Sequence, residues 1–171
     1  MAINATKQTI TNNATADKTS PRLNISSDHS VLKAGETATI TFTFSEPTQD
    51  FTAGDITVSR GTISNLINSG DDKTYTATFT PTVNVNTLNA KISVAAGSYS
   101  DEAGNKGKAS NSLTFTGDTA APTVAISSDK ALLKLNEKAT LTLSFSETPN
   151  GFDVNDLTVV GGKLSNLTAG S

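Results

Sequence analysis

Acidic side chains and the amides beside them are the groups of this chain best suited to chemistry. Asp17, Glu46, Asp55, Asp71, Asp72, Asp101, Glu102 and Asn105 all fall in turn-rich stretches, with few basic residues among them. Carboxylates gathered without cations repel one another. The ion that relieves this most readily with oxygen donors is calcium, which takes about six to eight ligands from carboxylates, amides, carbonyls and water in flexible geometry. Asp101 and Asn105 flank a turn shaped by Gly104, so both are expected to grip one ion that Asp17 also touches. The candidate ligands are Asp17, Glu46, Asp55, Asp101 and Asn105. Asp118, Glu147 and Asp156 begin a second set that has no counterpart of the Asp101–Asn105 turn, so a site there would be incomplete. The plainer reading stays open: Asp caps turns, and Asp-x-x-Gly-Asn is also the composition of a well-formed tight turn.

Other chemistries find less support. The absence of cysteine removes disulfides and thiolate metal sites. His29 is the single histidine, with no partner at metal-ligand or catalytic spacing, and reads as a surface residue. No serine has a histidine or lysine set around it, and Gly161-Gly162 follows a strand pattern without leading into a helix, as a hairpin turn does and a phosphate cradle does not. No enzyme is expected. A net charge of -3 points away from nucleic acid and anionic membranes, and no apolar run approaches the length of a membrane span. Met1 is followed by neither the basic start nor the apolar core of a signal peptide, so an export signal, if the protein is exported, lies outside this chain.

The elements that must position the carboxylates are legible from a repeat. Shifting the sequence by 101 positions lays residues 17–70 on 118–171 with about 23 of 54 positions identical and no gap. Ser26-Ser27-Asp28 falls on Ser127-Ser128-Asp129, Phe44-Ser45-Glu46 on Phe145-Ser146-Glu147, and Ser64-Asn65-Leu66 on Ser165-Asn166-Leu167. The expected organisation is a flexible lead-in or remnant of a preceding repeat over 1–16, a complete module over 17–117 and a truncated second module over 118–171. Within the first, Leu23 and Ile25 alternate with polar residues, as do Ala38, Ile40, Phe42 and Phe44, and then Tyr75, Ala77 and Phe79. Further short strands are expected at Ile56–Val58, Ile63–Leu66, Ile92–Ala96 and Leu113–Phe115. About seven strands with regular turns and no helical period predict an antiparallel β-sandwich of immunoglobulin-like type. With no Trp and no cystine, its core rests on Phe, Ile, Leu and Val. Alternate up and down strands would bring the entering linker and the turns after the second, fourth and sixth strands to one pole, which is what gathers the acidic residues.

The motifs Asp-Ile-Thr-Val-x-x-Gly-Thr-Ile-Ser-Asn-Leu, Tyr-Thr-Ala-Thr-Phe-Thr-Pro and Ser-Tyr-Ser-Asp-Glu-Ala-Gly-Asn, in this order after Thr-Phe-Thr-Phe-Ser-Glu-Pro, resemble the immunoglobulin-like repeats of giant bacterial surface adhesins. These are the stalk modules of biofilm-associated and large type I secreted proteins, and the resemblance covers residues 17–171. It implies an extracellular, repetitive shaft at the bacterial cell surface, often loaded with calcium at module junctions. The implied partners are neighbouring repeats of the same chain and a cell-surface or biofilm partner, with no nucleic acid and no membrane insertion. The expected function is to extend and stiffen the shaft. About five residues, Gly117 to Ala121, are expected to link the modules, and Pro122 limits their swing. The alternative is a direct binding module for a glycan, a host protein or the same repeat on another cell; the lack of Trp and the threonine-coated faces count against sugar stacking. The second module lacks the segments that would cover Leu141, Leu143 and Phe145, so an exposed apolar sheet face is expected there.

Overall fold

The computed structural model describes residues 15–170, so nearly all of the expected lead-in lies outside the described residues. The chain forms two compact units that divide between Ala120 and Ala121. The first contains eight strands: β1 (Leu23–Ser27), β2 (Val31–Lys33), β3 (Ala38–Phe44), β4 (Ile56–Ser59), β5 (Gly61–Asn68), β6 (Thr74–Pro81), β7 (Leu88–Val94) and β8 (Leu113–Asp118). They form two four-stranded sheets ordered β1-β3-β6-β5 and β2-β8-β7-β4. The period-two alternation read from the sequence becomes a period-two burial pattern. Ala38, Ile40, Phe42 and Phe44 are buried while Thr39 and Thr43 face water, and Tyr75, Ala77, Phe79 and Pro81 do the same on β6. Cross-strand register then places like with like, Phe42 opposite Tyr75 and Thr41 opposite Thr76. Leu88, Ala90, Ile92, Val94 and Phe115 supply the facing sheet, and the rings of Phe79 and Phe115 stack across the sandwich at 4.7 Å.

The structure departs from the expected seven antiparallel strands at β2. This three-residue strand pairs in parallel with β8, Leu32 opposite Gly117, so the chain leaves the first sheet after β1 and crosses to the second. A strand with one buried residue, Leu32, is too short to show an alternation. The last strand also runs further than expected. Gly117 and Asp118 belong to β8, and Thr119 beyond them is buried in the first unit, where its hydroxyl donates to the Thr82 carbonyl at 2.8 Å and accepts from Val85 N–H at 3.1 Å. The stretch expected to act as a linker from Gly117 is therefore held by the first unit through Thr119.

With neither Trp nor cystine in the chain, aromatic rings fill one end of the core. Phe44 lies 5.0 Å from Phe51 and 5.0 Å from Tyr99, both edge-on, and 5.8 Å from Tyr75. Such pairs add about 0.5–1.5 kcal/mol each beyond the area they bury. Each phenol also ties down a loop: Tyr75 donates to the Thr48 carbonyl at 3.1 Å, and Tyr99 to the Lys108 carbonyl at 2.7 Å.

The second unit repeats the beginning of the first. Strands β9 (Val124–Ser128) and β10 (Leu141–Phe145) pair antiparallel with Phe145 opposite Val124, as Phe44 is opposite Leu23. Phe145 meets Phe152 edge-on at 4.8 Å, the counterpart of Phe44 and Phe51. Ser146 N–H donates to the Thr123 carbonyl and Ser146 Oγ accepts from Thr123 N–H, reproducing Ser45 and Arg22. Burial does not repeat. Ile126 is 60% exposed and Leu141 43%, where Ile25 is 2% and Ile40 0% exposed, which is the uncovered apolar face expected from the sequence.

Candidate functional site

Three chain segments converge at the pole where β1 and β6 begin and β3 and β7 end. Asp17 arrives on the segment before β1, Glu46 stands just past β3, and Asp101 sits in the loop between β7 and β8. The two loops are fastened before any carboxylate is considered. Thr48, fully buried, forms a β-bridge with Asp101, and its N–H donates to the Asp72 carbonyl at 2.8 Å. Ser100 N–H donates to Asp50 Oδ1 at 2.7 Å, and its hydroxyl reaches Oδ2 of the same side chain. On this frame Asp17, Glu46 and Asp101 each present a carboxylate oxygen within 4.8 Å of the others. They line one open depression with Pro47, Glu102 and Ala103.

Asn105 locks the set. Its N–H and its Nδ2 donate to Asp101 Oδ1 and Oδ2, both at 2.8 Å, and Nδ2 also donates to the Asp17 carbonyl at 3.2 Å. Gly104, at φ 85°, makes the tight return that brings Asn105 back onto Asp101. Among the described residues no basic side chain forms a salt bridge with the cluster, the one salt bridge joining His29 to Asp28 elsewhere on the surface, and Lys73 acts on Glu46 only at longer range.

The remaining expected ligands are placed otherwise. Asp55 accepts from Thr52 N–H at 2.8 Å and from Thr52 Oγ1 at 2.9 Å, closing a short 3-10 turn (Ala53–Asp55), and is not among the clustered carboxylates. Asp118 accepts from Ala120 N–H at 2.9 Å, as Asp17 accepts from Thr19 N–H at 2.8 Å, but it lies at the end of β8, away from Glu46 and Asp101. Asp71 caps its own turn through Lys73 and Thr74, and Asp72 bonds Asn68. In the second unit Asp156 accepts from Asp153 N–H in the manner of Asp55. Thr48, Asp50 and Ser100, which build the frame, were not singled out by the sequence, because each acts on a partner tens of residues away.

A family model described as bacterial Ig-like domain matches residues 17–116 and again 118–171. The chain belongs to the bacterial Ig-like domain family. No curated protein and no solved structure gives a significant match. The two matched segments follow the internal repeat, and the acidic cluster lies wholly within the first Ig-like match.

Electrostatics at the pole are measurable through acid titration of this Ig-like module. Burial, then the charges of Asp17 and Asp101, push the Glu46 carboxyl above its ordinary value, against a smaller pull from Lys73 and Ser45. Burial acts upward on Asp101 as well, but hydrogen bonds from Asn105 and from the Ala103 and Gly104 backbone outweigh it and hold Asp101 below its ordinary value. Asp50 is held low in the same way by Ser100. A raised carboxyl stabilises the fold while protonated, and that contribution is lost as pH rises through its folded value, above the ordinary glutamate pKa of about 4.3. A depressed carboxyl contributes above about 3.9, and its contribution is lost as pH falls through its lower folded value. In chelator, thermal stability is therefore expected to peak between these two ranges and to decline toward neutral pH. Melting followed by circular dichroism from pH 2 to 8 checks this. Glu46→Gln should flatten the neutral limb, and a wild-type profile that simply rises to pH 7 would contradict the assignment.

Proposed function

We propose that this chain is part of the repetitive shaft of a large bacterial surface adhesin, and that Asp17, Glu46, Asp101 and Asn105 stiffen it by holding calcium at the module pole. The supporting observation is the convergence of three carboxylates without a salt-bridge partner, from the entering segment and two different loops, with an oxygen of each within 4.8 Å of the others. Their donor set is all oxygen, it spans three covalently distant segments, and the Asp17 carbonyl faces the same turn. These features suit a hard cation with flexible coordination and do not suit a soft metal. When bound, calcium would neutralise the mutual repulsion and tie the segment entering β1 to both loops, so that the module and the chain entering it move as one piece. A direct glycan-binding role draws less support, because both tyrosines and all five phenylalanines of the first unit are buried and leave no stacking platform.

The test is thermal unfolding with millimolar calcium and with chelator. An ion that binds only the folded state adds about 2.7 kcal/mol at a hundredfold excess over its dissociation constant, or about 10–20 °C for a domain of this size. Changing Asp101 and Asn105 together to alanine is expected to abolish the difference. Identical melting with calcium and chelator in the parent chain would leave an ion-independent spacer.

A further inference from the structure

The chain enters and leaves the first unit at opposite poles. Strands β1 and β6 run the same way, since each is antiparallel to β3. The acidic pole is where β1 begins, and β6 ends at the other, where Thr82 and Val85 just beyond it hold Thr119 by hydrogen bonds. Strand β8 therefore runs in the direction of β1, although the two belong to different sheets.

Bonds between the entering and leaving segments follow one another from pole to pole. Lys108 N–H donates to the Pro21 carbonyl at 2.9 Å. Asn111 comes next: its Oδ1 accepts from Ile25 N–H at 2.7 Å and its Nδ2 donates to the Ile25 carbonyl at 2.8 Å. One side chain thus takes both main-chain groups that a neighbouring strand would use. Thr116 N–H then donates to the Ser30 carbonyl at 3.0 Å, and the residues of β2 lie opposite Thr116, Gly117 and Asp118. Residue numbers rise together on the two sides, so the seam is parallel along its length. By leaving the first sheet after β1, strand β2 carries this seam on to the exit pole.

Direction decides how such a seam meets force. A pull on the entering and leaving chain draws residues 21–33 toward one pole and residues 108–118 toward the other, each along its own axis. The bonds are then loaded together, and none opens ahead of the rest. A slip of one residue would also turn Leu32, which is fully buried, out of the core. A pull on the adjacent ends of β2 and β8 would instead open the pairs one at a time.

We infer that the first unit is a tension-bearing element, and that the parallel seam between residues 21–33 and 108–118 carries the load. The inference takes from the shaft reading only that the module is pulled from both ends, and no ion enters it.

The experiment is single-molecule force spectroscopy on the full chain in chelator, so that failure of the calcium reading leaves it untouched. The chain has no cysteine, which lets thiol handles be placed singly. Ala16→Cys with Ala121→Cys pulls on entry and exit, and Ala34→Cys with Ala121→Cys pulls on the adjacent ends of β2 and β8. All three alanines are exposed, and residues past 121 carry no load in either geometry. The rupture force is expected to be at least about threefold higher in the first geometry, because three strand pairs share there what one carries in the second. Forced unfolding follows the unfolding rate, and both handle pairs act on the same core, so equilibrium stability alone predicts no such difference. Asn111→Ala should lower the end-to-end force. Ser59→Ala, which removes an acceptor for Lys91 N–H between β4 and β7, away from the seam, should leave it at the parent value. Equal forces in the two geometries overturn the proposal. So does an Asn111→Ala chain that ruptures at the parent force, or a Ser59→Ala chain weakened as much as Asn111→Ala.

Discussion

Truncating Phe42 to alanine is expected to destabilise the first unit by about 3–5 kcal/mol, whereas the same truncation at Leu143, its repeat equivalent, should cost the second unit less than about 1 kcal/mol. The two positions sit at the centre of corresponding strands, and the neighbouring turns and hydrogen bonds repeat between them. They differ in cover. Phe42 is completely buried, its ring 5.4 Å from Phe51, with β6 beside it and the second sheet opposite. Leu143 is half-buried, with β9 on one side and no strand on the other. Removing a side chain from a closed core loses both its transfer free energy and the contacts across the cavity left behind, while removing one from an open face loses only part of the first. Urea unfolding of the whole chain separates the cases, because both tyrosines, Tyr75 and Tyr99, lie in the first unit and their fluorescence reports it alone. Amide exchange across Val124–Ser128 reports the second. Equal losses at the two positions would mean that residues 121–170 close a core of their own.

The same contrast explains how much of the molecule could be read from its sequence. Strands β1, β3 and β6 announce themselves because a sheet with one dry face writes its period directly into the residue types. Strand β2 does not, since Leu32 alone is buried and its partner β8 is more than eighty residues away. Alternation also overstates what forms: residues 157–160 have a strand's composition and remain unpaired, because a strand is stabilised by its neighbours. At the acidic pole, topology was enough to bring Asp17, Glu46 and Asp101 together, since each follows from the direction in which its strand runs. It was not enough to sort clustered carboxylates from those spent on local turns. For Asp55 a signal was present, Thr52 three residues before it, the spacing of a reciprocal cap. For the bridge between Thr48 and Asp101 there was none, because nothing in either residue's neighbourhood specifies the other.

Replacing Gly117 with alanine is expected to cost the first unit about 2–6 kcal/mol, the sum of about 1–3 for backbone strain and about 1–3 for overpacking. Gly117 is on β8 between two neighbours, opposite Leu32 of β2 on one side and Leu88 of β7 on the other. Its φ of 146° is one that a side chain resists, and a Cβ there would overlap the Leu32 carbonyl oxygen. Backbone cannot yield as the end of a flexible side chain can, so either β2 or the end of β8 must give way. Both outcomes reach further than the substituted residue. Displacing β2 uncovers Leu32, which is fully buried, and displacing β8 pulls Thr119 from its hydrogen bonds to Thr82 and Val85. Thr119→Ala supplies the control: it removes those side-chain bonds without touching β2, and should cost about 1–3 kcal/mol. Urea midpoints by tyrosine fluorescence order the two variants. If Gly117→Ala unfolds at the parent midpoint, the close approach of β2 to β8 is not a constraint on the fold. If it is the more damaging of the two, the residue that lets β2 pack also fixes where the chain leaves the first unit.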